Sequence, residues 1–448
     1  MEDADLLIEN SIIISMDQNR SIFHGTIEIK GDRIIGIWPS SRTRSLHAKR
    51  KIDGSKMAVL PGFINAHNHL WGSLISNRPT AEGLKLDEFL KELWRVKGSL
   101  GRDEFYYGSQ LTSVQNIMSG ITTLVDHCYP CVNPSISESV IDAVRITGMR
   151  FIFARGIMTK GYPPICETSE KAFNECEGLA KKYYKSDMVK VLIAPVSFRQ
   201  AELSDYKLAK EIADRYHTGV YTHIAETEAE IETIKKDYGR RPVELLNEIG
   251  FLGKSTTLVH SIYVQEDEIQ LIRSSGASVA HCASNNMRLA KGAAPIAKMI
   301  DEGINICLGT DNPITAKQDF FTELYNLILF HSFVDRRPEI ISPMKALEIA
   351  TLGGARALGM ENMIGSIEVG KKADLILIDM DKPHLKPLHD VAKALVFHAS
   401  AADVDTVIIN GKIIMENRNL ITINIGKLLR HTTKLAEKFL TKIGESDK

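Results

Sequence analysis

Eight short apolar runs, separated by helical stretches, fill the middle of this chain and restrict its fold more than any other feature. They are "VLPGFINAH" (59–67), "ITTLVD" (121–126), "RFIFARG" (150–156), "VKVLIAPV" (189–196), "GVYTHIAE" (219–226), "TTLVHSIY" (256–263), "SVAHCASN" (278–285) and "NICLGTDN" (305–312). Near-continuous apolar runs belong to strands buried on both faces. Stretches such as "DYKLAKEIADRYH" and "EDEIQLIRSSG" between them supply the helical crossovers of a parallel sheet. Eight units predict an α/β fold, a closed (β/α)8 barrel over residues 59–365. An open doubly wound sheet is the alternative, and the lack of a Gly-rich turn after the first run counts against it.

At 448 residues the chain exceeds a single core, so a smaller second domain is expected. The N-terminal "DLLIENSIIISMDQNRSIFHGTIEIKGDRIIGIWPS" and the C-terminal "ADLILIDMD" and "DTVIINGKIIMENR" read as short strands, with Asn410-Gly411 a hairpin turn. Neither flank is large enough for a core of its own. Residues 1–58 and 366–424 are therefore predicted to pack together as a composite β-sandwich, with 425–448 a helical tail.

A net charge of −1 with scattered Lys and Arg leaves no footprint for nucleic acid. No apolar run approaches bilayer length and the acidic start lacks a leader, so a cytoplasmic protein without a membrane partner is expected. Six cysteines in so long a chain make no disulfide framework. "CYPC" (128–131) lacks the second pair that a structural zinc needs, and reduced thiols are expected.

Metal-capable residues fall at the ends of the runs: His67 and His69 after the first, His223 and Glu226 in the fifth, His260 in the sixth, His281 in the seventh, Asp311 in the eighth. In a barrel those ends converge on one mouth. His67 and His69, two residues apart, project to the same side of a strand. Three imidazoles and a carboxylate, from His67, His69, His223 and Asp311, suit one divalent ion and leave a position for water. Zn2+ is preferred, with Fe2+ and Mn2+ also compatible.

The motifs "PGFINAHNHL", "HIAET", "VH" (259–260), "HCASNNMRLAKGAAPI", "LGTDN" and "IGSIEVGKKADLILID" together resemble the amidohydrolase superfamily. The branch they resemble contains triazine chlorohydrolases and deaminases of guanine, adenosine and S-adenosylhomocysteine. The resemblance implies a barrel with a sandwich built from both termini, and metal ligands His67, His69, His223 and Asp311. It implies Glu226 as proton shuttle, a role that favours a raised carboxylate pKa. His260 would orient or activate the water, with Asp311 also accepting or steering its proton. Glu226 stands three residues after His223, so both reach the mouth only if the strand breaks near Ile224 or Ala225. Binuclear relatives carry a bridging group at the end of the fourth strand. Here that end is Pro195-Val196 with Lys190 at the other end, which favours a single ion. Homodimers or larger homo-oligomers are common in the family.

Substrate positions depart from that branch. The purine-reading Glu of adenosine-type deaminases aligns with Gly98, and a Pro-His pair after the fourth strand is Pro195-Val196 here. Both losses argue against adenosine or S-adenosylhomocysteine as substrate. Candidates for a rebuilt pocket are Trp71, as a stacking platform or a rim aromatic; Trp94; Arg199, as a carboxylate fork or a surface residue; His281, as a contact or a loop organiser; and Asn312. The expected function is hydrolytic deamination of an amino-substituted N-heterocycle, a small molecule, by metal-activated water. The alternatives are loss of chloride, an alkylamine, or an amide or urea nitrogen, and a non-enzymatic binding barrel.

Overall fold

The computed structural model describes residues 4–41, 46–78, 83–84 and 86–444. Eight parallel strands form the barrel: Phe63–Asn65, Ile121–Cys128, Arg150–Ile157, Val189–Pro195, Val220–Ile224, Thr256–His260, Ser278–His281 and Ile306–Leu308, each bonded to the next in that order. The second and third are buried at every position, as strands covered on both faces must be. Closure between last and first rests on Ala66 N–H donating to Leu308 O at 2.7 Å and Asp311 N–H to His67 O at 3.0 Å. Gly309 permits this approach, because a Cβ there would lie 2.5 Å from that of His67.

The chain ends build a second, nine-stranded sheet. Its central pairing sets Met57–Pro61 antiparallel to Leu375–Asp379, with Ala4–Ile14 on the other edge of the former. Hydrogen bonds run unbroken through this sheet, so the two layers of the expected sandwich are arms of one sheet. They enclose a common core that includes Ile8, Ile27, Val59, Leu375 and Ile408. Asn410 and Gly411 both take positive φ, 51° and 74°, which turns Val404–Ile409 into Lys412–Glu416 as an Asn-Gly hairpin should.

The passage between sheet and barrel falls at Gly62, inside the run that opens the expected barrel at residue 59. A Cβ at Gly62 would collide with the Thr122 side chain at 2.1 Å, so a residue without a Cβ is needed where the chain passes from one sheet to the other. A buried two-pronged ion pair ties them together: Arg150, at the start of a barrel strand, holds Asp374 at 2.9 and 3.0 Å. The helix Ile425–Lys442 returns to the barrel's flank, with the His431 ring 3.9 Å from that of Tyr107 and Lys442 bonded to Ser99 O at 2.7 Å. Residues 445–448 of the expected tail lie outside the described residues.

Candidate active site

The barrel's C-terminal strand ends bring His67, His69, His223, Glu226, His260 and Asp311 together, all buried. Each expected ligand histidine has its Nδ1 engaged: His67 with Tyr221 Oη at 2.7 Å, His69 with the His127 carbonyl at 2.7 Å, His223 with the Val196 carbonyl at 2.8 Å. Tyr221 itself donates to Ala66 O, so its oxygen accepts from His67. These acceptors place the ring protons on Nδ1 and leave the Nε2 lone pairs facing inward. His67 Nε2 lies 3.3 Å from that of His223 and 3.4 Å from Asp311 Oδ1, and His69 Nε2 lies 3.5 Å from the same oxygen.

Burial, reinforced by His67, holds His69 well below the ordinary imidazole range and His223 at about 4, so both are neutral. Burial pushes the Asp311 carboxyl up, but His67 and Lys291 outweigh it and hold it well down. Convergent lone pairs beside an ionised carboxylate repel one another unless a cation lies among them, so this donor set fits a divalent ion. Two overlapping sets have every ligand atom within 4.8 Å of the rest: His67, His127 and His223, and His67, Cys282 and Asp311. His69 joins through Asp311.

Local backbone makes this convergence possible. The fifth strand ends at Ile224 and Ala225 takes φ 50°, the break that brings His223 and Glu226 to one mouth. His260 and Asp311 also take positive φ, 70° and 60°. His260 Nδ1 meets Asn286 Oδ1 at 3.1 Å, and its Nε2 stands 3.2 Å from Glu226 and 3.6 Å from Asp311.

Glu226 departs from the expected raised pKa. Burial does push it up, but Lys291 at 2.7 Å, then His260 and Arg199, hold it well below the usual carboxylate range. Arg199 is engaged inside the protein, with Glu226 at 3.2 Å, Thr227 at 2.6 Å and Glu230 at 3.4 Å.

The pocket over these groups is lined by Leu86, Phe89, Leu90, Leu93, Tyr129, Val196, Leu289 and Asn312 among others. Trp71 is not on its wall; it is buried in the core against Phe105. His281 also stands off the wall, paired with His331 at 3.1 Å. Trp94 packs with Tyr129, Val196 and Met158 beside the pocket. Gly98 is exposed beyond the end of the helix Leu86–Lys97. Lys190 donates to Leu358 O, on the side of the barrel where the strands begin. All six cysteines are free, with the Sγ atoms of Cys128 and Cys131 3.8 Å apart.

Four residues at or beside the site were missed from sequence: Tyr129 and Lys291, which line the pocket, His127, whose ring stacks on His223 at 4.6 Å, and Lys97, whose ammonium lies against the Tyr129 ring off the pocket wall. A lysine within the small-residue run "LAKGAAP" was the signal for Lys291.

A parallel barrel carrying a histidine-rich, metal-capable site at its strand ends defines a class, the metal-dependent barrel hydrolases. The profile of the Amidohydrolase family matches residues 58–414, and the chain belongs to that family. A 5-methylthioadenosine/S-adenosylhomocysteine deaminase of Thermoanaerobacter pseudethanolicus is 34% identical over 97% of this chain and 99% of its own. A 5'-deoxyadenosine deaminase of Methanosarcina acetivorans is 31% identical over 98% and 99%. Among solved structures, a zinc-bound adenosine deaminase of Xanthomonas campestris superposes with TM-score 0.92 at 25% identity, over 98% of this chain and 99% of that one. A mutant atrazine chlorohydrolase of Arthrobacter aurescens, complexed with zinc and atraton, gives 0.91 at 25% over 96% and 100%. The chain is an enzyme, an aminohydrolase. No described helix is long and apolar enough to cross a membrane.

Proposed function

We propose that the protein deaminates an amino-substituted nitrogen heterocycle hydrolytically, with His67, His69, His223 and Asp311 holding one divalent ion, zinc first among the candidates. The carrying observation is the set of inward Nε2 lone pairs, their Nδ1 atoms already engaged, beside an ionised carboxylate. When bound, such an ion supplies the Lewis acidity that makes water nucleophilic near neutral pH. Asp311 and His260, 3.6 Å apart, orient that water and draw off its proton as its oxygen adds to the ring carbon. Glu226, ionised beside Lys291, carries the proton to a ring nitrogen or to the departing amino group, and ammonia leaves. Leu86, Phe89, Leu90, Leu93 and Leu289 keep bulk water away and seat the ring.

The deaminase names of the relatives support an amino leaving group. The buried Val196, in place of the branch's histidine, speaks against adenosine itself. A cytoplasmic setting and a homodimer or larger homo-oligomer go with this reading. The test is ammonia release by zinc-reconstituted protein across aminopurines, aminopyrimidines, pterins, triazines and creatinine-like rings, with Asp311→Asn as blank. One ring class should yield ammonia, with the variant at least about 100-fold slower. Wild-type rates in the variant would sink the mechanism. Release of chloride or alkylamine without ammonia would move the assignment toward the chlorohydrolases.

A further inference from the structure

One buried amine beside the pocket has no hydrogen-bond partner among the described residues. Leu86, Leu90, Leu93 and Lys97 succeed one another at helical spacing on one face of the helix Leu86–Lys97, and the three leucines line the pocket. Lys97 is the most buried of the four, at 1% exposure. Its Nζ has no hydrogen-bond partner among the described residues. The ammonium lies 3.5 Å from the centre of the Tyr129 ring and 4.9 Å from that of Trp71. Tyr129 lines the pocket and also meets His69, ring to ring at 5.3 Å. The charge of Lys97 is felt at His69, and that of Asp311 at Lys97.

Its neighbours are matched. Glu226 and Asp311 share Lys291, at 2.7 and 3.8 Å, and Glu230 has Arg199. Asp126 acts on Lys97 from a distance, without a hydrogen bond to it, and burial has pushed its own carboxyl up to about 7. Burial likewise draws the Lys97 ammonium down to about 7. Ring contacts offset only part of the cost of burying an ammonium.

We propose that Lys97 is a specificity residue that pairs with an anionic substituent, a carboxylate or acidic oxygen, on the heterocycle, so that the preferred substrates are anionic amino-heterocycles. The proposal rests on the deaminase reading and names its substrate class. In a site this dry, a charge-assisted hydrogen bond to an amine without a hydrogen-bond partner among the described residues discriminates strongly. Arg199, the expected reader of a carboxylate, already has protein partners.

The test uses zinc-loaded full-length protein and matched rings: pterin against pterin-6-carboxylate, cytosine against 5-carboxycytosine, adenosine against adenosine-5'-carboxylate. Calorimetric binding and ammonia release are measured for wild type, Lys97→Met and Lys97→Arg. Wild type should bind the carboxylate member of at least one pair about 10-fold or more tighter than its neutral mate. Lys97→Met should bring that ratio close to one, and Lys97→Arg should keep most of it. The thermal midpoint of Lys97→Met should equal or exceed that of wild type, because a buried unmatched charge has gone. A lysine that only braced Tyr129 would lower it. No carboxylate preference in any pair, or a preference that survives in Lys97→Met, overturns the proposal. Ammonia without a carboxylate preference overturns it and leaves the deaminase reading standing; a carboxylate preference without ammonia does the reverse.

Discussion

Glu226 sits under three cations or potential cations, and the balance among them sets its working state. Burial alone would raise its pKa; Lys291 contributes most to holding it down. In its proposed role as proton carrier an ionised Glu226 takes a proton before it gives one, so activity should fall as pH drops through its pKa. Removing Lys291 raises that pKa, and Lys291→Met should shift the acid limb of kcat/KM to higher pH, by about one unit or more, leaving the other limb in place. A pH–rate profile of the two proteins reads the shift directly. His67, His69, His223 and Asp311 were legible because parallel strands deliver their ends to one place whatever the loops do. Lys97 and Lys291 were not, since they lie on connecting segments whose approach depends on packing that no local pattern records. His127 was lost for a smaller reason: the second strand reads as ending at Asp126, and it runs to Cys128.

At the scale of elements, the site is assembled by interrupting strands. Ala225, His260 and Asp311 all take a left-handed backbone that non-glycine residues adopt only at a cost. The break at Ala225 could be read from the spacing of His223 and Glu226, because an unbroken strand would turn one of them outward. Those at His260 and Asp311 could not, since nothing in "LVHSIY" or "LGTDN" forces one. Ala225→Gly accepts φ 50° freely and should keep both stability and activity. Ala225→Val should destabilise by about 1–2 kcal/mol and lower kcat by swinging Glu226 away. Urea unfolding and steady-state rates together separate the two effects. The pairing order of the terminal strands could not be read from the sequence in the same way. Alternation shows which side chains face a core, but not that Ala4–Ile14 bonds to three other strands, Ile22–Lys30, Ala48–Asp53 and Met57–Pro61.

For the whole molecule, the proposed divalent ion, held by residues from the first, fifth and eighth strands, would act as a staple across the barrel. Zinc at about 1,000 times its dissociation constant should add about 4 kcal/mol to the folded state. The thermal midpoint of the native enzyme should therefore rise with zinc and fall with a chelator, while Asp311→Asn should respond far less. Calorimetric scans with and without metal measure this without any substrate. The second sheet has a different consequence, one of timing. Val59 and Leu60 find their antiparallel partners at Leu377 and Ile376, about 300 residues later in the chain. At the pace of ribosomal synthesis those partners arrive roughly 15 to 60 s afterwards. Through that interval the nascent chain carries one open edge of Met57–Pro61 beside a barrel already taking shape. The strand at 375–379 is then a certificate of completion: a chain cut short before it leaves an apolar edge bare, which marks it for chaperones and proteases.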